Sequence, residues 1–137
     1  MSTVNLAIVG GREFDDYDLL EVETTSYIKE ILQKFVNPSE VEVVIVSGGA
    51  RGADTLAEKY AKTHNYNTLI FRVTPHQWKD LGKLAGIRRN TDIVNNSDYM
   101  IAFPDQNSRG TWDSIRKMTK KNNQVKVIKP KQNESTA

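Results

Sequence analysis

Val41-Glu42-Val43-Val44-Ile45-Val46-Ser47-Gly48-Gly49-Ala50-Arg51-Gly52-Ala53-Asp54 contains three local signals in succession. Val41 to Val46 is rich in valine and apolar except for Glu42, the pattern of a strand covered on both faces of a parallel sheet. Ser47 to Gly52 is a glycine-rich loop. Beyond it, Leu56, Ala57, Tyr60, Ala61 and His64 share one helical face, and Asn65 is a suitable C-cap. Strand, glycine loop and helix make the repeating unit of a doubly wound α/β domain.

The same unit recurs on either side. Val4 to Val9 reads as a buried strand ended by Gly10-Gly11. Asp15, Asp16 and Asp18 supply capping chemistry and favourable charge for a helix whose apolar positions run from Tyr17 to Phe35, stopped by Asn37-Pro38. Thr68 to Val73 is a third strand. In Pro75 to Asn96 the glycines at 82 and 86 weaken the first half, and Ile87, Thr91 and Val94 predict a helix in the second. Tyr99 to Phe103 is a fourth strand, ended by Pro104. Ile115, Met118 and Asn122 mark a fourth helix, and Val125 to Ile128 a fifth strand. The expectation is a single α/β, Rossmann-like domain over residues 1–129, with a mainly parallel five-stranded sheet and helices on both faces. Residues 130–137 are polar and read as a flexible tail.

The chain has 137 residues, the size of one domain, and a formal net charge of +2. That charge is too small to draw nucleic acid by bulk attraction, so nucleic acid is an unlikely partner on this ground. With no cysteine, disulfides and thiolate metal sites are excluded. This fits a reducing, cytoplasmic compartment. Met1 to Val9 lacks a basic leader, and no apolar run approaches the roughly 20 residues that cross a bilayer.

In such sheets ligands bind beyond the carboxyl ends of the strands, where strand order reverses. Three loops lie there. In the first, Gly10 and Gly11 permit a sharp turn or a close approach, and Arg12 offers a planar fork for phosphate or carboxylate. The alternative is a tight turn with a solvated arginine. In the second, Ser47, Gly48, Gly49, Arg51 and Gly52 expose backbone N–H groups at a helix start, where anions are attracted. Asp54 either binds a ribose hydroxyl, holds an arginine, or only complements the helix dipole. The glycines fall neither as a dinucleotide fingerprint nor as a P-loop. In the third, Ser108, Gly110 and Thr111 open another helix, with an ordinary cap as the alternative. Arg88, Arg89 and Asn90 are a fourth candidate group, Arg88 having the option of pairing with Asp92 on a solvated face. Trp78 and Trp112 suit either base stacking or core packing. His64 and His76 have no triad or metal-ligand spacing, and no metal site is expected.

Taken together, Gly10 to Phe14 with Asp16-Tyr17, Ser47 to Asp54, Trp78, Gly82-Lys83, Ala85 to Asn90, Asp98, Ile101 to Phe103 and Ser108 to Thr111 resemble the YspA-like branch of the SLOG superfamily. That superfamily also holds the Lonely Guy hydrolases and DNA-processing protein A. The resemblance runs from about Leu6 to Ile128. It implies a modified Rossmann-like fold that binds nucleotide-derived molecules such as NAD, ADP-ribose or cyclic nucleotides. The ligand would then lie on Gly48, Gly49, Arg51, Gly52, Arg88, Gly110 and Thr111, with Asn90 and Phe103 beside them. The Lonely Guy hydrolases carry a catalytic glutamate where this chain has Ser114. A hydroxyl cannot stabilise an oxocarbenium-like charge as a carboxylate does, and Asp113 points about 100° away around the helix. The leading expectation is therefore a sensor or sequestering protein for a small nucleotide-derived ligand, with no other cofactor. Two alternatives stand beside it: a nucleotide-cleaving enzyme using Asp54, Asp113 or Glu13, and a single-strand DNA-binding protein, for which Arg12, Arg51, Arg88, Arg89 and Arg109 lie on the expected pocket side but net charge is low and aromatics there are few. Apolar surface around Trp78 and Leu81 to Leu84, with the habit of related folds, predicts a homo-oligomer.

Overall fold

A computed structural model describes residues 2–129. The expected tail, 130–137, lies outside the described residues. The elements run β1 (Ser2–Gly10), α1 (Tyr17–Leu32), a 3-10 turn (Pro38–Glu40), β2 (Val41–Ser47), α2 (Ala53–Thr63), β3 (Asn67–Ile70), α3 (Pro75–Leu81), α4 (Lys83–Asn95), β4 (Tyr99–Phe103), α5 (Arg109–Lys121) and β5 (Val125–Val127). The five strands form one parallel sheet in the order β3-β2-β1-β4-β5. Leu6 lies beside Ile45, and Ile8 beside Ile101.

Alternation along the central strands divides the core in two. Leu6, Ile8, Ile45, Ile101 and Phe103 point to one face, where Leu20, Ile28 and Ile31 of α1 and Ala57, Tyr60 and Ala61 of α2 cover them. Ala7, Val9, Val46, Met100 and Ala102 point to the other, under Ile93 and Val94 of α4 and Ile115 and Met118 of α5. Right-handed crossovers dictate this division. The chain builds outward from β1 to β2 and β3 with helices on one face, then returns to β4 and builds the opposite way on the other. The switch falls between β1 and β4, so a crevice opens beyond their carboxyl ends.

Local chemistry sets the ends of the elements. The Asp16 carboxylate accepts the Leu19 amide at 3.1 Å and caps α1. Asn65 takes a left-handed φ of 59° just past α2. Strand β3 ends at Ile70, three residues before the expected Val73. After the Phe71 amide bonds the Ser47 carbonyl, Arg72 turns away to reach Gly49 and Glu58. Residues 75–96 hold two helices where the sequence pattern predicts one. A capping box starts the first: Thr74 accepts the Gln77 amide at 3.1 Å, and the Gln77 side chain accepts the Thr74 amide at 2.8 Å. Gly82, with φ 56°, separates the pair. Gly86 lies inside α4 because Trp78 packs across it; a Cβ there would sit 3.3 Å from the indole ring.

Candidate functional site

The loops after β1, β2 and β4 meet in one hollow of about 550 Å³ at the strand switch. Its wall on the α2 side is built by interlocked backbone. Gly52 has φ 77°, and a Cβ there would lie 2.4 Å from the Gly11 carbonyl. Only glycine fits such a crossing. The Gly11 carbonyl in turn accepts the Ala53 amide at 3.2 Å. The rest of this loop closes on itself. The Ser47 hydroxyl accepts the Gly49 amide at 3.2 Å, and the Asp54 carboxylate accepts the Ala50 amide at 3.1 Å.

The α5 side is organised by Asp105. Its carboxylate accepts the Asn107 amide at 3.0 Å, the Glu13 amide at 3.1 Å and the Ser108 hydroxyl at 2.6 Å. Burial works to raise its pKa, but these donors outweigh burial and hold it below the usual carboxylate range. A Cβ on Gly11 would fall on this carboxylate, so the glycine is needed for the β1 and β4 loops to touch. Because Ser108 serves Asp105, it does not cap α5. Among the described residues, the first amide of α5 to find an acceptor is that of Trp112, on the Ser108 carbonyl at 3.0 Å. The amides of Arg109, Gly110 and Thr111 form an open helix N-terminus on the hollow.

Charge is sorted around the rim. Arg12, Arg51, Lys83, Arg89 and Arg109 line the hollow, against Glu13, Asp54 and Asp105. Arg51 pairs with Glu13 at 3.0 Å, both well exposed. Arg89 donates to the Gly48 carbonyl at 3.2 Å. Burial lowers its pKa and Asp54 works against that, while the guanidinium remains a cation at neutral pH. Asp54 is 8% exposed. Burial pushes its carboxyl up to about 6, and the Ala50 amide and Arg89 limit the rise.

The expected site residues divide accordingly. Gly10, Gly11, Arg12, Glu13, Arg51, Asp54, Asn90, Ser108, Gly110 and Thr111 line the hollow. Ser47, Gly48, Gly49, Gly52 and Phe103 stand behind its wall: Phe103 is fully buried, with its ring 5.1 Å from that of Phe14. Arg88 faces a different hollow and, among the described residues, makes no ion pair with Asp92. Asp113 accepts from Asn90 at 3.3 Å and from Lys117 at 2.8 Å, which ties α4 to α5 outside the hollow. Trp78 and Trp112 are 39% and 38% exposed and do not line it. Of the other lining residues, Arg109 is one of the arginines expected on the pocket side, while Lys83 and Asp105 are not singled out by the sequence as site residues. For Asp105 the signal was present: Asp-x-x-Ser after a strand and a proline is turn chemistry. Among the described residues, no group of three or more His, Cys, Asp or Glu is disposed to hold a metal ion. No described helix is long and apolar enough to cross a membrane.

A family model described as YspA, cpYpsA-related SLOG family matches residues 4–76, just over half of the chain. The chain belongs to this family. The Gene 61 protein of Mycobacterium phage D29 is 39% identical over 83 residues. That match takes in 57% of this chain and 65% of the phage protein, so the chain spans just under two-thirds of that relative. Among solved structures, DNA processing protein A from Helicobacter pylori superposes with a TM-score of 0.64 at 22% identity. The superposition covers 96% of this SLOG chain and 67% of the H. pylori one. DNA processing protein A from Streptococcus pneumoniae matches with a TM-score of 0.46 at 19% identity.

The H. pylori structure is described as revealing a single-stranded DNA binding mode. That finding corrects two expectations: the sensor or sequestering protein for a small nucleotide-derived ligand as leading reading, and nucleic acid as an unlikely partner. The second rested on net charge, which sums over the whole surface. In this SLOG protein the cations are local, gathered at one crevice where the acids nearest them are bonded or buried.

Proposed function

We propose that this SLOG protein binds single-stranded DNA, with a backbone phosphate against the α5 N-terminus. The observation that carries the reading is the set of three unpartnered amides, Arg109 to Thr111, beside Arg12, Lys83, Arg89 and Arg109. Helix amides and a positive dipole end favour a phosphate oxygen, and guanidinium forks add bidentate contacts. A crevice of this kind admits an unpaired strand more readily than a duplex. The fold shared with the H. pylori protein, itself described as a single-stranded DNA binder, supports the same reading.

Fluorescence anisotropy with a labelled oligothymidylate tests it. Binding should weaken as salt rises, and Arg109→Ala should reduce the salt slope by about 1. Absence of binding at low salt by the folded protein would refute the reading. Trp78 and Leu84 are 39% and 55% exposed on the α3–α4 side. Self-association through that side is part of the proposal, and sedimentation at micromolar concentration checks it. Residence in the cytoplasm likewise belongs to the proposal.

A further inference from the structure

A second hollow, of about 440 Å³, lies beyond the end of β3 and under the α3–α4 pair. Ile70, Phe71, Leu81 and Ala85 give it apolar walls, and Arg72, Arg88 and Asp92 give it polar ones. Its volume falls in the range of small-ligand pockets, roughly 300–1,000 Å³. Arg89 lines both this hollow and the first, so the two are separated by one side chain along the same edge of the sheet.

We propose that this second hollow receives the base of a neighbouring nucleotide of the same strand. The inference rests on the reading of the first hollow as a single-stranded DNA site. Its chemistry suits a base better than a phosphate. Arg72 is already engaged, donating to the Gly49 carbonyl at 3.1 Å and to Glu58 at 2.8 Å. Asp92 supplies a carboxylate that repels phosphate but accepts from base N–H groups. Phe71 and the aliphatic walls offer the apolar contact on which sequence-tolerant base binding depends. Arg88 is exposed at the rim, where it meets the phosphate that joins the two nucleotides. Arg89, between the hollows and bonded to the Gly48 carbonyl at 3.2 Å, keeps them a fixed distance apart. The protein thus holds at least two consecutive nucleotides, and affinity rises from a mononucleotide to an oligonucleotide for a structural reason.

Anisotropy and calorimetry with thymidine monophosphate and an oligothymidylate test this, using the wild type, Arg88→Ala, Leu81→Trp and a control, Arg116→Ala. Arg116 is exposed on α5 and lines neither hollow. Arg88→Ala should weaken the oligonucleotide about tenfold through the lost phosphate contact. Leu81→Trp, which fills the hollow, should do the same. Both should leave thymidine monophosphate unchanged, and Arg116→Ala should change neither. Wild-type oligonucleotide affinity retained in both variants, or an equal loss in Arg116→Ala, overturns the second hollow and leaves the first intact. If the wild type binds no oligonucleotide, the reading of function fails and takes this inference with it.

Discussion

The starts of α2 and α5 face the same crevice, and both follow a strand and a five-residue loop, yet they are finished differently. At α2 the loop amides of Gly49 and Ala50 go to Ser47 and Asp54, and the first helical amide, that of Ala53, goes to the Gly11 carbonyl; among the described residues the Asp54 and Thr55 amides have no acceptor. At α5 the residue in the capping position, Ser108, turns to Asp105, and three amides stay open. The two starts thus differ at the first helical amide, taken by the Gly11 carbonyl at α2 and open at α5. What decides is whether an acceptor of the protein reaches the amides first.

The sharpest way to break this comparison is at the glycines. Gly52→Ala forces a side chain into a left-handed φ of 77° and against two backbone carbonyls. We expect a loss of about 3 kcal/mol in urea unfolding, from strain and overpacking together. A loss under about 1 kcal/mol would mean that the α2 loop is far softer than its interlocked hydrogen bonds imply.

The next largest effect concerns the buried acid. The folded pKa of Asp54, about 6, lies above its ordinary value. The folded state therefore binds the proton more tightly than the unfolded one, and this group's contribution favours folding as pH falls through 6. At neutral pH its ionised form is a cost, so Asp54→Asn should stabilise by about 2 kcal/mol, with the Asn oxygen still accepting the Ala50 amide. The gain should vanish near pH 4 when both proteins are unfolded thermally across that range. Removal of a negative charge from the wall should also tighten oligonucleotide binding at pH 7.

Ser108→Ala should cost about 1 kcal/mol, the usual net worth of a hydrogen bond. The sign for Asp105 is opposite to that for Asp54. Its pKa is held low, so its stabilisation is present at neutral pH and lost as pH falls through the lowered value. With the hydroxyl gone that pKa should move up, and an NMR titration of the carboxyl reads the change. Smallest of all, Gly110→Ala should stabilise by about 0.5–1 kcal/mol, because its Cβ meets only the Asn90 amide nitrogen at 3.7 Å and sits in a helix. Destabilisation there would mean that α5 begins as tightly constrained as α2.

Much of the fold was legible because the signals were local. Val4 to Val9, Val41 to Val46 and Tyr99 to Phe103 are apolar runs of strand length, and each strand is followed by helical periodicity. The α3–α4 pair was less so, because glycine penalises a helix on average while Gly86 here makes room for Trp78. The site was half legible. Gly10, Gly11, Arg12, Gly110 and Thr111 line the hollow from motifs visible in one dimension. Lys83 and Arg109 join them from neighbouring turns, while of the adjacent Arg88 and Arg89 only Arg89 lines the first hollow.

By itself the order of residues determined the alternation of strands and helices, the positions where the backbone needs glycine, and membership of the SLOG pattern. These depend on contacts a few residues apart or on turns that only certain side chains permit. Tertiary structure alone decided that the first amide of α2 is taken while that of α5 stays open, and which acids are buried or bonded. It also decided which of the arginines expected on the pocket side reach the crevice: Arg12, Arg51, Arg89 and Arg109 line it, and Arg88 does not. Those properties depend on which distant groups arrive at the same point, as Asp105 does over Gly11 and Arg89 at the Gly48 carbonyl, and no local pattern encodes such a meeting.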